Sequence, residues 1–252
     1  ERIQVQGDMI SKEDTMRLGN RLLSMDFGVY PTMFDYCLAM ALLYFKEQQC
    51  DVVILETGLG GTYDSTNACG VPDVTVIAKI GFDHMAILGD TLAQIAAEKA
   101  GIIKHGTALV LESQEKEAMD VLNKAAERAD IKTTKVVNLD EIRILPQKDG
   151  KQCFSYAGYD AVTMKMLGVH QYENAVAAML AAELFFEKYL AGKKNVPERK
   201  ALQHAIREGI DRTQWMGRME LVSNDPFFLM DGAHNSNGVE ALKKSLETMY
   251  PD

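Results

Sequence analysis

The stretch DVVILETGLGG, residues 51–61, decides how the rest of the chain is read. Val52, Val53, Ile54 and Leu55 run without alternation into Glu56 and then into a glycine-rich turn. An unbroken, β-branched run of this kind predicts a parallel strand buried on both faces. Ligands of open α/β sheets bind beyond the carboxyl ends of such strands. The pattern therefore sets Glu56 at a strand end, where a carboxylate is costly unless paired or bound to a cation. Two further segments repeat the pattern. VTVIAKIGFDH leads to Asp83 and His84, and FFLMDGAHN leads to Asp231, His234 and Asn235. Three strand ends bearing acids and histidines point to an enzyme site assembled along sheet edges.

Outward from this stretch, apolar runs alternate with helical patterns. The start, ERIQVQGDMI, reads as a short hairpin. Ser11 and Asp14 form a capping-box pattern opening a helix over 11–25, and an apolar helix over 32–48 is expected to lie deeply buried. A strand is expected over 74–80, and Thr91 with Gln94 caps a further helix. GTALVLES predicts another strand, 114–129 a polar helix, and 131–165 short strands and turns. Long helical patterns follow over 171–190 and 201–209, joined by the polar connection GKKNVPERK. The segment DRTQWMGRMELVSNDP reads as a linker into a strand at 227–230, and Asn237 with Glu240 resembles a capping box for a last helix. The order implies an α/β fold, with a doubly wound, mostly parallel sheet flanked by helices. A domain boundary is expected near residue 213.

The 252 residues suffice for one large domain or two unequal ones. Twenty-seven basic against 36 acidic residues give −9, which argues against nucleic acid or an anionic membrane as the main partner. An anionic substrate needs only a local basic patch. Cys37, Cys50, Cys69 and Cys153 are scattered without a CxxC pair, as expected for reduced thiols in a cytoplasmic protein, with neither zinc nor a disulfide framework. No signal peptide and no apolar run of membrane-spanning length is visible. The sequence opens on Glu1 and stops just after the helix following Asp231, so it is expected to be the middle of a longer protein.

Lys99 is the odd residue. Leu92, Ile95, Ala96 and Lys99 share one helical face, so an ammonium group lies on an apolar stripe. Two readings fit: a lysine snorkelling near a helix C-terminus, or a buried amine that carbon dioxide can carbamylate, giving oxygens suited to Mg²⁺. His84 beside Asp83 is either structural or a ligand. Glu56, His84 and a carbamylated Lys99 together would make a hard-metal site. His170 and Asn174, four apart at the opening of a long helix, share a face; local hydrogen bonding and ligand contact both fit. Arg218 reads as a surface charge or a phosphate clamp. Asn235 alone would be a turn residue, whereas Asp231 and His234 beyond a strand end look placed for chemistry. The G-x-G-x-x-G pattern starting at Gly58 fails at Tyr63, which disfavours a nicotinamide oxidoreductase, and no G-x-x-x-x-G-K-[ST] phosphate loop occurs.

LETGLGGTYDSTN, KIGFDHMAILGDT, IAAEKAGIIK, GVHQYENA, GRMELV and DGAHNSNGVEAL follow one another in order along nearly the whole chain. Together they resemble folylpolyglutamate synthase and bifunctional dihydrofolate synthase/folylpolyglutamate synthase, of the Mur ligase superfamily. The resemblance implies a P-loop NTPase-like central domain over 1–212, lacking its N-terminal part. It implies a linker and the start of a smaller α/β glutamate-ligase domain over 213–252. It implies an ATP-dependent ligase in which ATP phosphorylates a folate or dihydropteroate carboxylate and the amine of L-glutamate attacks the acyl phosphate. It makes ATP and Mg²⁺ the expected cofactors, Glu56 and His84 metal ligands, and Lys99 a carbamylated third ligand. His170, Asn174, Arg218 and Asp231 fall to ATP, His234 to the phosphate and incoming glutamate, and Asp64 to the pterin substrate. Lys99, His84 and His234 are the catalytic candidates. A cytoplasmic monomer without nucleic-acid or membrane partners is expected, and the 252 residues alone are expected not to turn over ATP. Thr62 and Tyr63 depart from the Arg-Leu pair usual in GGRLDATN. Other Mur-type amino-acid ligases, or a non-catalytic truncated module, are the competing readings.

Overall fold

The computed structural model describes residues 2–191 and 197–250. Part of the GKKNVPERK connection lies outside them. Contacts divide the chain into two compact units, residues 1–70 and 71–252.

The first unit begins with a hairpin, β1 (Gln4–Val5) and β2 (Asp8–Met9), in antiparallel register. Helix α1 (Lys12–Leu23) starts at Ser11, whose hydroxyl accepts the Asp14 N–H at 2.9 Å. Helix α2 (Met33–Glu47) starts with a full capping box between Thr32 and Asp35. The two helices close over Ile3, Leu18, Ala41 and Tyr44, and Arg17 reaches Glu47 at 2.6 Å across their exposed side. Only Ala41 and Tyr44 of α2 are buried, so the expected deep burial is not found. Its apolar residues exceed what the small hairpin and one neighbouring helix cover; Met33 is exposed.

The expected strand over 52–55 does not form. The four residues are exposed, Ile54 at 89%, and no ladder pairs them among the described residues. A strand is stabilised by its neighbours, and an apolar run supplies only one side of that pairing.

In the second unit, β3 (Val74–Ile77), β4 (Ala108–Leu111) and β5 (Thr134–Val136) form the parallel sheet, in that order. Val74 to Ile77 pair in register with Ala108 to Leu111, and Leu109 to Leu111 with Thr134 to Val136. The central strand is fully enclosed: Leu109, Val110 and Leu111 expose nothing. β3 ends at Ile77, three residues short of the expected limit. Short helix α3 (Met85–Leu88), then α4 (Leu92–Ala100) and α5 (Lys116–Arg128), make the connections. At the start of α4, Gln94 reaches back to the N–H groups of Asp90 and Thr91. Gly89, at φ +110°, leaves room for it: a Cβ there would lie 2.6 Å from that side chain.

Strands β6 (Arg143–Lys148), β7 (Lys151–Tyr156) and β8 (Tyr159–Met164) form an antiparallel sheet. Helix α6 (His170–Leu190) packs against β3 and β4, and α7 (Arg199–Arg212) against β8. One core joins Val110, Phe154, Val162, Met164, Tyr172, Val176 and Met179. Full burial of each such side chain contributes about 1.5–3 kcal/mol. Because α6 is covered on several sides, its buried residues do not follow one narrow stripe.

The segment expected to be a linker contains β9 (Glu220–Asn224), antiparallel to β10 (Phe227–Met230). β10 is thus a hairpin strand with Phe227 and Phe228 exposed, not a strand buried on both faces. Helix α8 (Ser236–Met249) is capped by Asn235, which accepts the Gly238 N–H at 2.8 Å, so the cap lies two residues before Asn237. No helix among the described residues is long and apolar enough to cross a membrane.

Candidate active site

In the first unit, Glu56 is exposed on the extended segment and makes no hydrogen bond or ion pair among the described residues. It is not the carboxylate at the end of a buried strand that its sequence context predicts. Asp64 is differently placed. Its Oδ2 accepts the N–H groups of Gly58 and Leu59, both at 2.9 Å, and its Oδ1 accepts the Thr66 N–H at 3.0 Å and the Thr66 hydroxyl. Burial alone would raise its pKa, but these donors outweigh it and hold the carboxyl below the ordinary value. Asp64 caps the 3-10 turn Ser65–Cys69 and shapes the GLGG loop at the same time.

In the second unit, the turn after β3 carries Asp83 and His84. His84 lies in the left-handed region, φ 50° and ψ 34°, and its N–H donates to Asp83 Oδ1 at 2.8 Å. Its Nε2 lies 3.8 Å from Asp83 Oδ2, and the ring is exposed. Asn235, at the start of α8, donates to the same Oδ2 at 2.9 Å. Asp83 thus joins two loops that are 152 residues apart. Burial opposes the ionised form, yet the Asn235 and His84 donors and the nearby His84 and His234 rings keep its pKa below the ordinary value. His234 is exposed, and its Nδ1 sits 2.8 Å from the Gly232 carbonyl. That contact assigns the ring hydrogen to Nδ1 and leaves the Nε2 lone pair outward.

A second group surrounds the first turn of α6. Asn174 donates to Gln171 Oε1 at 3.0 Å, which fixes the Gln171 amide; its Nε2 then faces His170 Nε2 at 3.1 Å. His170 Nδ1 is left buried without a hydrogen-bond partner among the described residues. Burial lowers the His170 pKa, Asp231 opposes this, and Arg218 adds to it, so the ring is held neutral near pH 7. Gly168, at φ +112°, makes the fit possible, because a Cβ would lie 2.7 Å from His170 Cε1. Asp231 accepts the N–H groups of Met219 and Ala233, each at 2.8 Å, and so pins the 217–233 loops. Arg218 is exposed and lies against Gly232, where a Cβ would come within 2.6 Å of its Nη1.

Lys99 stands apart from both groups. It is half-buried in the last turn of α4, on the face that buries Ile95 and Ala96, as its spacing predicts. Among the described residues its ammonium group makes no hydrogen bond or ion pair, and no three His, Cys, Asp or Glu side chains converge. Sequence reasoning missed Gln171 as the link between Asn174 and His170, and read Asn235 as no more than a turn residue. It also passed over Glu112, although ALVLE repeats the pattern of VVILE.

The chain belongs to the Mur ligase family: the Mur ligase middle domain matches residues 29–182. Over 99% of its length it is 38% identical to the dihydrofolate synthase/folylpolyglutamate synthase of Bacillus subtilis (strain 168), covering 59% of that protein. Its fold is similar to that of a serine-to-alanine mutant of the L. casei FPGS, with a TM-score of 0.85 and 25% identity, covering all of this chain and 62% of that one. An FPGS–AMPPCP–folate complex aligns at a TM-score of 0.79 and 26% identity, over 94% of this chain and 56% of the other. The chain therefore spans somewhat over half the length of these relatives.

Proposed function

We propose that the complete protein containing this chain is an ATP-dependent ligase that adds L-glutamate to folate, with dihydropteroate as a further acceptor. The observation that carries this reading is the 38% identity to a dihydrofolate synthase/folylpolyglutamate synthase over 99% of the chain. The two side-chain groups of the second unit support it. ATP phosphorylates the acceptor carboxylate, the glutamate amine attacks the acyl phosphate, and ADP and phosphate leave.

The buried, unpartnered His170 Nδ1 and the Asn174–Gln171 relay beside it suit the hydrogen-bonding edge of an adenine. Arg218, unpaired among the described residues, suits a phosphate oxygen, and Asp231 orders the backbone beside it. His234 presents an outward Nε2 lone pair, suited to take a proton from the glutamate ammonium. Asp64 has its oxygens already engaged, so its part is to shape the 58–66 loop that meets the pterin substrate.

The oxygen donors suit Mg²⁺: Glu56 offers a solvent-open carboxylate and a carbamate on Lys99 would add oxygens, with the exposed His84 imidazole as the softer donor of the proposed set. When bound, the ion offsets charge on the phosphates. Lys99 would serve as a ligand once its neutral amine had added to carbon dioxide and released a proton. The residues fall into a central ligase domain over 1–212 and a linker with the start of a glutamate-ligase domain from 213. A cytoplasmic monomer without nucleic-acid or membrane partners completes the reading.

The test is Lys99→Ala in the complete protein. Ligation is expected to fall by at least about a hundredfold, with partial rescue by high bicarbonate or a short carboxylic acid. Full activity in the alanine variant removes the carbamate role.

A further inference from the structure

Past the ends of β3 and β4 the sheet continues through side chains. The last backbone bond runs from the Glu112 N–H to the Ile77 carbonyl at 3.0 Å. Beyond it, the Lys79 N–H donates to Glu112 Oε2 at 2.6 Å and the Ile80 N–H to Gln114 Oε1 at 2.8 Å, while Gln114 Nε2 returns to the Ala78 carbonyl at 2.9 Å. On the other side, the Ser113 N–H donates to Glu173 Oε1 at 2.6 Å, from the first turn of α6. Two glutamates therefore tie three segments at one point: the loop running to Asp83 and His84, the end of β4, and the turn bearing His170 and Asn174.

Glu112 is only 2% exposed. Burial pushes its carboxyl up to about 7; the Lys79 N–H opposes this and the charge of Glu173 adds to it. The charged groups facing it are Glu173 from α6 and Lys79 from the segment after β3, whose Nζ turns towards Glu115 at 3.7 Å.

We propose that Glu112 and Glu173 are a positioning pair that sets the Asp83–His84 turn in register with the His170–Asn174 turn, and so orders the nucleotide site. The proposal rests on the ligase reading above. Neither carboxyl touches a reacting atom. With a proton on Glu112 no charge is buried at the junction and all three segments stay tied. Loss of that proton buries a charge; the Lys79 N–H favours it, but burial and the charge of Glu173 oppose it more strongly, so the closed arrangement is disfavoured.

The experiment uses the complete protein with Glu112→Gln, Glu112→Ala and Glu173→Ala, and measures amide hydrogen exchange together with ligation between about pH 6 and pH 9. Exchange at Lys79 is expected to rise at least about tenfold in Glu112→Ala and stay within about twofold of wild type in Glu112→Gln. Exchange at Ser113 should rise comparably in Glu173→Ala. KM for ATP is expected to rise at least about fivefold in both alanine variants and to return within about twofold in Glu112→Gln. Wild-type KM for ATP should climb as pH passes about 7, and the Gln variant should lack that climb. Unchanged Lys79 exchange in a folded Glu112→Ala protein overturns the pairing. Loosened amides with an unchanged KM and an unchanged pH profile overturn the positioning role. If an alanine variant does not fold, the pH profiles of wild type and Glu112→Gln decide between the same outcomes. If the complete protein binds a fluorescent ATP analogue but ligates no glutamate, the ligase reading fails separately, and affinity for that analogue replaces KM as the readout.

Discussion

Val52-Val53-Ile54-Leu55-Glu56 and Ala108-Leu109-Val110-Leu111-Glu112 are nearly the same phrase, an apolar run ending in glutamate. The second is the central strand of a parallel sheet, paired on both edges, with its glutamate 2% exposed. The first is extended, unpaired among the described residues and exposed, Glu56 included. The contrast separates two properties that sequence merges. An apolar run states that a segment is suited to a buried strand; neighbours on both sides decide whether it becomes one. The same distinction assigns different work to the two glutamates. Glu112 is enclosed and holds a backbone N–H group, whereas Glu56 is open to solvent and free to take the proposed ligand role.

The largest test of this contrast is thermodynamic. Leu111→Ala should destabilise the protein by about 2–5 kcal/mol, because it leaves a cavity, while Ile54→Ala should change stability by less than about 0.5 kcal/mol. Urea denaturation of both variants measures this, and equal losses would mean that the 52–55 run is buried in solution.

Next comes Glu112→Gln. In the unfolded chain this carboxyl titrates near its ordinary value of 4.5, and in the folded protein at about 7. Between those values the folded state binds the extra proton. Stability from this group is therefore full below 4.5, falls as pH rises to about 7, and stays low above. The Gln variant should lose that slope and be more stable at about pH 8 by roughly 1–3 kcal/mol. A parallel pH dependence in wild type and variant would contradict the burial of Glu112.

Glu56→Ala should do the reverse. Its stability should stay within about 0.5 kcal/mol of wild type, while Mg²⁺-dependent ATP affinity in the complete protein falls about tenfold. Titration calorimetry with and without Mg²⁺ checks this, and an unchanged metal dependence takes Glu56 out of the site. The smallest effect concerns the connection between β3 and β4. Thr91→Ala removes the cap of α4 and should cost about 1 kcal/mol by thermal denaturation; an unchanged midpoint would mean that the α4 start is held by its packing alone.

The sequence was most legible where local chemistry suffices. Ser11 and Thr91 cap helices that begin where their spacing predicts, and Phe227–Met230 is the strand expected there. Lys99 lies on the half-buried face that its helical spacing indicates. Legibility failed where tertiary partners decide. β9 was hidden because its residues read as a linker until β10 pairs with them. Asn235, not Asn237, caps α8, and Asn235 also reaches Asp83 across the fold. In the candidate site, the residue types at the ends of β3 and β10 were readable from motifs. The Asn174–Gln171–His170 relay and the Glu112–Glu173 pair were not, since each depends on side-chain rotamers or on segments distant in sequence.

The most direct test of the central claim is mass spectrometry of the products made by the complete protein with ATP, Mg²⁺, L-glutamate and either tetrahydrofolate or dihydropteroate. The expected product is an acceptor heavier by one glutamyl residue, formed together with one ADP and dependent on glutamate. ATP turnover without that product, or no product with either acceptor, would contradict it.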